Sequence, residues 1–131
     1  MEIKEKIDYW INISAYDLET AAAMLSTGRF LYVGFMCHQA IEKILKASFV
    51  SLLKTTPPYS HSLLFIAQEC GIYDRLNDIQ KDTMDLLEPL NIKARYPAFT
   101  KNLTIMDGKK SQFILDKTTE LYQWIKQTLL K

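Results

Sequence analysis

Helical periodicity broken at only a few positions constrains the fold of this chain more than any other feature. Its 131 residues include only four glycines and four prolines. Between these breaks, apolar residues recur at steps of three and four, which is the spacing of one face of an α-helix, and no segment alternates as a half-buried strand does. The sequence therefore predicts an all-α protein.

Five helices are predicted, each with an apolar stripe that ends at a glycine, a proline or a polar turn. They cover about residues 3–26, 30–54, 61–70, 74–91 and 111–130. Ser60 is the predicted N-cap of the third helix, and Gly71 suits the left-handed residue that follows it. Pro89 is expected to end or kink the fourth helix. Because the connections are mostly short, the five helices predict an antiparallel, up-and-down bundle.

The segment 97–110 has an Asp-Gly turn and no helical stripe. Its apolar residues are Phe99, Leu103, Ile105 and Met106. Side chains this apolar are expected to be covered, so this loop is predicted to pack back onto the bundle. The chain is long enough for one hydrophobic core, so residues 1–131 are predicted to form a single domain.

Composition excludes several classes of partner and site. The formal net charge of +1 provides no overall attraction to nucleic acid or to anionic membranes. Cys37 and Cys70 lack the spacing of a metal site or a redox pair, so both are interpreted as buried thiols, and no metal or cofactor is predicted. With no cleavable leader and no run of about 20 apolar residues, we expect a cytoplasmic protein without a membrane partner.

The second predicted helix carries a polar island within otherwise apolar surroundings. At 100° per residue, the five polar side chains share one face over about 12 Å. They are His38, Gln39, Glu42, Lys43 and Lys46. Large apolar residues lie before and after them on the same face, which predicts a cleft or an interface at this point. An exposed window with an ordinary Glu42–Lys46 pair is the alternative interpretation.

Two further segments carry candidate ligand-binding residues. His61 lies at the start of the third predicted helix, in the sequence YSHSLL. Arg95 and Tyr96 follow the fourth helix, where Pro97 favours an extended conformation for Tyr96. Lys43, Lys46 and Arg95 together would suit a phosphate, which accepts charge-assisted hydrogen bonds. Tyr96 would suit a stacked base.

The motifs of this chain resemble those of the HEPN domain family. They occur in the family's order and span nearly the whole chain. They are Ala15, Asp17, Leu18 and Ala22; Gly28, Arg29 and Phe30; the HQAIEKILKA helix from His38 to Ala47; the His61, Ser62 and Leu63 helix start; and the Arg95, Tyr96 and Pro97 tripeptide.

That resemblance implies a helical bundle, a homodimer and a role in binding nucleotides or nucleic acid such as RNA. Many similar prokaryotic proteins work beside a minimal nucleotidyltransferase, often as two-component or toxin–antitoxin modules. This chain carries no nucleotidyltransferase motif, so such a partner would be a separate polypeptide. His38, Gln39, Glu42, Lys43, Lys46, His61, Arg95 and Tyr96 are the predicted ligand-binding residues.

The ribonuclease branch of the family has an arginine followed four to six residues later by a histidine, and this pattern is absent. His38 follows Arg29 by nine residues, no arginine lies within six residues before His61, and no histidine follows Arg95. RNA cleavage without a metal needs a base and a cation held on one frame. No catalytic residue is therefore predicted, and the missing motif favours a protein that is not an enzyme.

Two alternative functions remain open. In the first, the polar island and its apolar flanks form a dimer or partner interface in an interaction module without a ligand. A ligand bound at a dimer seam would combine that interface with the nucleotide-binding role. In the second, the chain is a ribonuclease with a non-standard active site, in which His38 and His61 meet across the bundle or across a dimer.

Overall fold

A computed structural model gives the fold of the chain, and the structure describes residues 2–91 and 107–130. Helices account for most of these residues, no β-strand occurs among them, and none of the described helices combines the length and apolar content that crossing a membrane requires. The helices are α1 (Ile3–Ser26), α2 (Phe30–Leu53), α3 (Leu63–Glu69), α4 (Asp78–Leu87) and α5 (Gly108–Leu129), with a short 3-10 helix (Tyr73–Arg75) before α4. The predicted all-α bundle of about five helices is confirmed.

Helix α2 is the centre of the bundle. It packs against α1, α3, α4 and α5, and its side chains are buried on nearly every side between Val33 and Val50. A helix that is apolar nearly all round is stable only when neighbouring elements cover its faces. Four of the five polar residues in the middle of α2 are therefore buried, and only Lys43 keeps part of its side chain in solvent.

Left-handed residues mark the ends of three helices. Gly28, with φ of 77°, follows α1, and Gly71, with φ of 80°, follows α3 as predicted. Both conformations favour glycine because a Cβ atom is strained there. Helix α2 is followed by a left-handed residue that is not glycine, Lys54, at φ of 57°, three residues before the first proline that prevents continuation.

Helix α3 begins two residues later than the sequence predicted. The Oγ atom of Ser62, and not that of Ser60, accepts the hydrogen bond from a free main-chain N–H, that of Phe65 at 3.2 Å. Ser60 instead accepts from the main-chain N–H of Ser62 at 3.1 Å. Ser62 is therefore the N-cap, and Ser60 accepts a hydrogen bond from the main chain of that cap. Two serines so close in the sequence both suit an N-cap, so the sequence alone does not show which of them caps the helix.

Helix α4 is shorter than the predicted segment 74–91. Asn77 forms a capping box with Gln80, in which each side chain accepts from the other residue's main-chain N–H at 2.8 Å. This cap starts a new helix at Asp78 and separates it from the preceding 3-10 helix. The helix ends at Leu87, and the expectation that Pro89 ends it is confirmed.

Helix α5 begins earlier than predicted, at Gly108. Oδ1 of Asp107 accepts from the main-chain N–H of Lys110 at 2.7 Å, so Asp107 is an N-cap. The Asp-Gly pair is thus a helix start and not the predicted loop turn. The remainder of the predicted loop, residues 97–106, lies outside the described residues.

The hydrophobic core surrounds α2. Its largest fully buried apolar side chains are Ile41, Ile44, Leu45, Leu63, Ile66, Ile72, Met84, Leu87, Ile114, Leu121 and Ile125. Cys37 belongs to this core, and burial raises the pKa of its thiol to about 11. The prediction of a buried thiol is confirmed for Cys37. It holds only in part for Cys70, which follows α3 and packs against the core while partly buried.

Candidate functional site

A cluster of polar side chains surrounds the carboxylate of Glu42 inside the bundle. Nδ1 of His61 lies 3.0 Å from Oε1, while Nζ of Lys46 lies 3.2 Å and Nζ of Lys43 3.7 Å from Oε2. Only 1% of Glu42 is exposed, so its carboxylate relies on these groups and not on water. The Glu42 cluster, as we name it, consists of His38, Gln39, Glu42, Lys43, Lys46 and His61.

The positive neighbours of Glu42 keep its carboxylate ionised despite burial. Burial alone would raise the pKa of Glu42, because it removes the charged form from water. The charges of Lys43 and Lys46 and the hydrogen bond from His61 act in the opposite direction and prevail, so the pKa of Glu42 lies below its usual value. The cluster therefore has a permanent negative charge at its centre near neutral pH.

The hydrogen bond to Glu42 defines the protonation of one His61 nitrogen. An ionised carboxylate only accepts hydrogen bonds, so Nδ1 of His61 must carry the proton of the 3.0 Å contact. The other nitrogen, Nε2, is not used by this bond. The side chain of His61 is 46% exposed, which makes it one of the two residues through which the cluster reaches solvent.

Lys46 is a buried cation with two partners. Its ammonium group donates to Glu42 and lies 5.4 Å from the centre of the Trp10 ring on α1. Glu42 and Lys46 are one helical turn apart, so the pair forms without help from another element. The face of an indole ring attracts a cation, which gives the ammonium a second favourable contact in place of water.

His38 is the most deeply buried member of the cluster. Its Nδ1 atom lies 3.9 Å from Oε1 of Glu42, beyond hydrogen-bond distance, and its Nε2 atom has no hydrogen-bond partner among the described residues. Burial lowers the pKa of His38 to about 4, although the charges of Glu42 and Glu88 favour the protonated form. His38 is therefore neutral at pH 7 and does not form an ion pair with Glu42.

Lys43 is the second residue through which the cluster reaches solvent, with 18% of its side chain exposed. Its ammonium group donates to Oε1 of Gln39 at 2.8 Å and lies 4.0 Å from the carboxylate of Asp17 on α1. Nε2 of Gln39 donates in turn to Oδ1 of Asn91 at 3.3 Å. This chain of contacts orients the ammonium group at the surface end of the cluster.

Burial also affects Asp17, the carboxylate nearest to the exposed edge. The loss of water raises the pKa of Asp17, while the charge of Lys43 acts against this shift and that of Glu42 adds to it. Asp17 and Lys43 therefore pair at the edge of the cluster, at 4.0 Å, and Lys43 keeps part of its side chain in solvent.

Glu88 holds the segment that delivers His61 to the cluster. Its carboxylate accepts from the hydroxyl of Ser62 at 2.6 Å and from the main-chain N–H of Leu63 at 2.8 Å. Both donors belong to the start of α3, immediately after His61. A carboxylate at a helix N-terminus accepts hydrogen bonds from free main-chain N–H groups, and its negative charge interacts favourably with the positive end of the helix dipole.

Replacing Glu88 by alanine should lower the free energy of unfolding by about 1–2 kcal/mol, because the start of α3 loses two hydrogen bonds to a charged acceptor. Urea unfolding followed by circular dichroism measures the change. Glu69→Ala, at an exposed glutamate of the same helix, is the matched control and should stay within about 0.5 kcal/mol of the unaltered protein. An equally small effect of Glu88→Ala would show that the two hydrogen bonds to Glu88 do not stabilise the start of α3.

The structure assembles six of the eight predicted ligand-binding residues. His38, Gln39, Glu42, Lys43, Lys46 and His61 are linked by contacts around one carboxylate. Their role in ligand binding stays a prediction. The alternative of an exposed polar window is wrong, because His38, Gln39, Glu42 and Lys46 are buried. Arg95 and Tyr96 lie outside the described residues.

Three residues at the cluster were not among the predicted ligand-binding residues. Asp17, Glu88 and Asn91 each contact a cluster residue or the segment that carries it. Glu88 and Asn91 lie within two residues of Pro89. Their proximity in the sequence to the Arg95 motif is the signal that could have drawn attention to them. Asp17 belongs to the residues that carry the family resemblance, although the spacing of α1 does not distinguish it from the other acidic residues of that helix.

The chemistry available in the described residues is that of charge and hydrogen bonding. No group of three or more histidine, cysteine or acidic side chains suited to a metal ion occurs in residues 2–91 and 107–130. The ammonium group of Lys46 contacts the carboxylate of Glu42, and that of Lys43 lies close to the carboxylates of Glu42 and Asp17. An anion would therefore require either the partly exposed Lys43 or cations beyond those described here, such as Arg95.

Comparison with known proteins supports the fold. The sequence profile of the HEPN domain matches residues 7–128. Among solved structures, the crystal structure of TT1696 from Thermus thermophilus superimposes with a TM-score of 0.80 at 18% sequence identity, over 93% of this chain and 97% of that one. At this identity the likeness concerns the fold alone. No curated protein matches the sequence significantly.

Proposed function

This chain belongs to the HEPN domain family, and from that premise we propose that it is a nucleotide- or nucleic-acid-binding helical domain whose phosphate site is the exposed edge of the Glu42 cluster. We further propose that it acts as a homodimer and as the non-catalytic partner of a separate minimal nucleotidyltransferase, in a two-component or toxin–antitoxin module. The observation that carries the first part is the convergence of Lys43 and His61 on Glu42 from two different elements, with both side chains partly exposed.

A phosphate bound at this edge would exploit groups that are already positioned. The ammonium group of Lys43 is oriented by Gln39, so little side-chain entropy would be lost when it meets an anion. Nδ1 of His61 is committed to Glu42, while Nε2 is the ring nitrogen that a ligand would contact. Phosphate oxygens accept hydrogen bonds from both kinds of group.

Arg95 and Tyr96 complete the proposed site. The two ammonium groups of the cluster already lie close to the carboxylates of Glu42 and Asp17, so the affinity for a phosphate would depend on an additional positive charge. Arg95 supplies that charge, and it follows Asn91, which contacts Gln39, by four positions in the sequence. A guanidinium group also binds phosphate with two parallel hydrogen bonds.

Lys43→Gln is expected to weaken nucleotide binding about 10- to 100-fold, since one charge-assisted hydrogen bond is lost while the fold is kept. Titration with ATP, GTP and a short single-stranded RNA measures the effect. The Trp124→Phe background leaves Trp10, beside Lys46, as the only tryptophan of the chain and as the fluorescence reporter. Lys126→Gln, at an exposed lysine of α5, is the matched control.

Binding of none of these ligands by the unaltered protein would reject the phosphate site. Arg95→Ala and Tyr96→Ala should each reduce binding as well, because the site is proposed to include both side chains. Light scattering of the same samples measures the mass. A change of oligomeric state in Lys43→Glu, without any ligand effect, would favour the interaction module instead.

The partner proposal rests on the family alone and has its own test. Co-expression with a minimal nucleotidyltransferase of the same organism, followed by gel filtration, should yield one complex that contains both chains. Separate elution of the two proteins at micromolar concentration would reject the partnership. It would leave the phosphate site unaffected.

One observation favours a second candidate, a ribonuclease with a non-standard active site. The hydrogen bond between Glu42 and His61 orients an imidazole as a general acid or base requires. His38 lies 3.9 Å from the same carboxylate oxygen but is buried. Of the two histidines, only His61 could therefore reach a substrate. Cleavage of single-stranded RNA that His61→Gln abolishes would favour this candidate over a purely binding domain.

A further inference from the structure

The loop between α2 and α3 presents a tyrosine that is completely exposed. Tyr59 keeps its full solvent-accessible surface, more than any other large apolar or aromatic side chain in residues 2–91 and 107–130. It follows Pro57 and Pro58, whose rings restrict the backbone. An aromatic ring gains free energy when it is buried, and Tyr59 does not gain it within this chain. Its ring is therefore available to contact another molecule.

The loop around Tyr59 is held by hydrogen bonds on the side of α3. The main-chain N–H of Ser60 donates to the carbonyl of Pro58 at 2.9 Å, and that of Ser62 donates to the hydroxyl of Ser60 at 3.1 Å. Glu88 then fixes the hydroxyl of Ser62. Tyr59 is therefore displayed by an ordered segment, so a partner that stacks on its ring loses little free energy in ordering the backbone.

Tyr59 is also adjacent to the Glu42 cluster. Its ring centre lies 6.4 Å from that of His61, with an angle of 54° between the ring planes. His61 is itself bound to Glu42, and Glu42 lies 3.7 Å from the ammonium group of Lys43. Tyr59 and His61 are thus neighbouring rings that both reach solvent, and the partly exposed ammonium group of Lys43 lies close to the same carboxylate that His61 contacts.

We propose that Tyr59, with His61 beside it, is a stacking surface for the unpaired base of a nucleotide whose phosphate is bound at Lys43. This inference rests on the proposed function and narrows its ligand class to a phosphate that carries an unpaired nucleobase. Such a base is found in a free nucleotide and in single-stranded RNA, whereas the bases of a duplex have no free face. Stacking on an aromatic ring tolerates every base, because each has a π-face.

The test compares ligands with and without a base. Tyr59→Ala should weaken binding of ATP about 5- to 150-fold, the range for removal of one base–aromatic stack. Binding of inorganic tripolyphosphate, which has no base, should be unchanged. Tyr59→Phe keeps the ring and should bind ATP as the unaltered protein does. Because Tyr59 is fully exposed, these variants are expected to fold normally, and circular dichroism checks this.

Tyr32→Ala is the matched control. Tyr32 is also an exposed tyrosine, but it precedes Lys43 by eleven residues in α2, which is roughly 16 Å along the helix axis. Its replacement should leave the binding of ATP unchanged. A short oligoadenylate, ATP and an RNA duplex are tested side by side to show whether the stacked base belongs to single-stranded RNA or to a free nucleotide. The ligand whose base stacks on Tyr59 should bind more weakly to Tyr59→Ala.

The outcomes separate this inference from the proposed function. ATP binding that Lys43→Gln weakens and Tyr59→Ala does not would overturn the stacking surface and keep the phosphate site. An equal loss for ATP and tripolyphosphate in Tyr59→Ala would also overturn it, because the effect would not depend on the base. Failure of every nucleotide to bind the unaltered protein would overturn both.

Discussion

Replacing Glu42 by alanine is expected to lower the free energy of unfolding by about 3–5 kcal/mol, which would unfold a large fraction of a marginally stable domain. The reason is that Lys46 is only 6% exposed and would lose the carboxylate that lies 3.2 Å from its ammonium group. An ammonium group that is buried without a counter-ion must lose its proton or draw water into the core. Urea unfolding at pH 7 measures the change.

Three further variants identify the cause of that loss. Lys46→Met alone should also destabilise, because Glu42 keeps fewer partners. The double variant Glu42→Leu with Lys46→Met removes both buried charges and should recover much of the stability, as replacement of a buried pair by apolar groups often does. Glu19→Ala, at an exposed glutamate of α1, should stay within about 0.5 kcal/mol. A loss under about 1 kcal/mol in Glu42→Ala would contradict the buried ion pair.

Acidification should destabilise the protein by roughly 3 kcal/mol between pH 6.5 and pH 4, through His38. The unfolded chain binds a proton at His38 near the ordinary pKa of 6.5, whereas burial lowers the pKa in the folded protein to about 4. Between these values the unfolded state holds more protons, so the free energy of unfolding falls as the pH falls. Below about pH 4.5, protonation of Glu42, whose pKa is lowered, adds to the loss.

Unfolding by urea at several pH values between 7.5 and 4.5 tests this dependence. His38→Gln removes the titrating group, so its stability should vary much less over the same range, whatever its stability at pH 7. His61→Gln keeps His38 and should retain the dependence. NMR titration of the His38 ring provides an independent measurement. Stability that stays flat down to pH 5 in the unaltered protein would show that His38 is not buried in the neutral form.

The buried charges also explain why the proposed phosphate site lies at an edge. Lys46 and Glu42 stabilise each other in the interior, and moving either toward a ligand would break a buried pair. Lys43 and His61 contact the same carboxylate but retain exposure, so they can bind an anion without uncovering the core. The two outer residues are therefore the better targets for binding experiments, and the two inner ones for stability experiments.

The sequence predicted a helix end well where a single glycine or proline determines it. Gly71 follows α3 with the expected left-handed conformation, and Pro89 follows the end of α4. Apart from the C-terminus of α4, the errors fell at N-termini, where several neighbouring polar residues can cap the helix. Ser62 caps α3 where Ser60 was predicted, and Asp107 caps α5 where a loop turn was predicted. A cap depends on the direction of the incoming chain, which the sequence of the helix does not contain.

The sequence by itself determined that this chain is helical and that five polar residues share one face of α2, because these properties depend on spacings of three and four residues. Only the tertiary structure decided that this face is covered by His61 from the loop before α3, by Asn91 after α4 and by Asp17 of α1. Periodicity shows which side chains are neighbours on one helix. Burial, protonation and exposure depend on which other elements lie against that face.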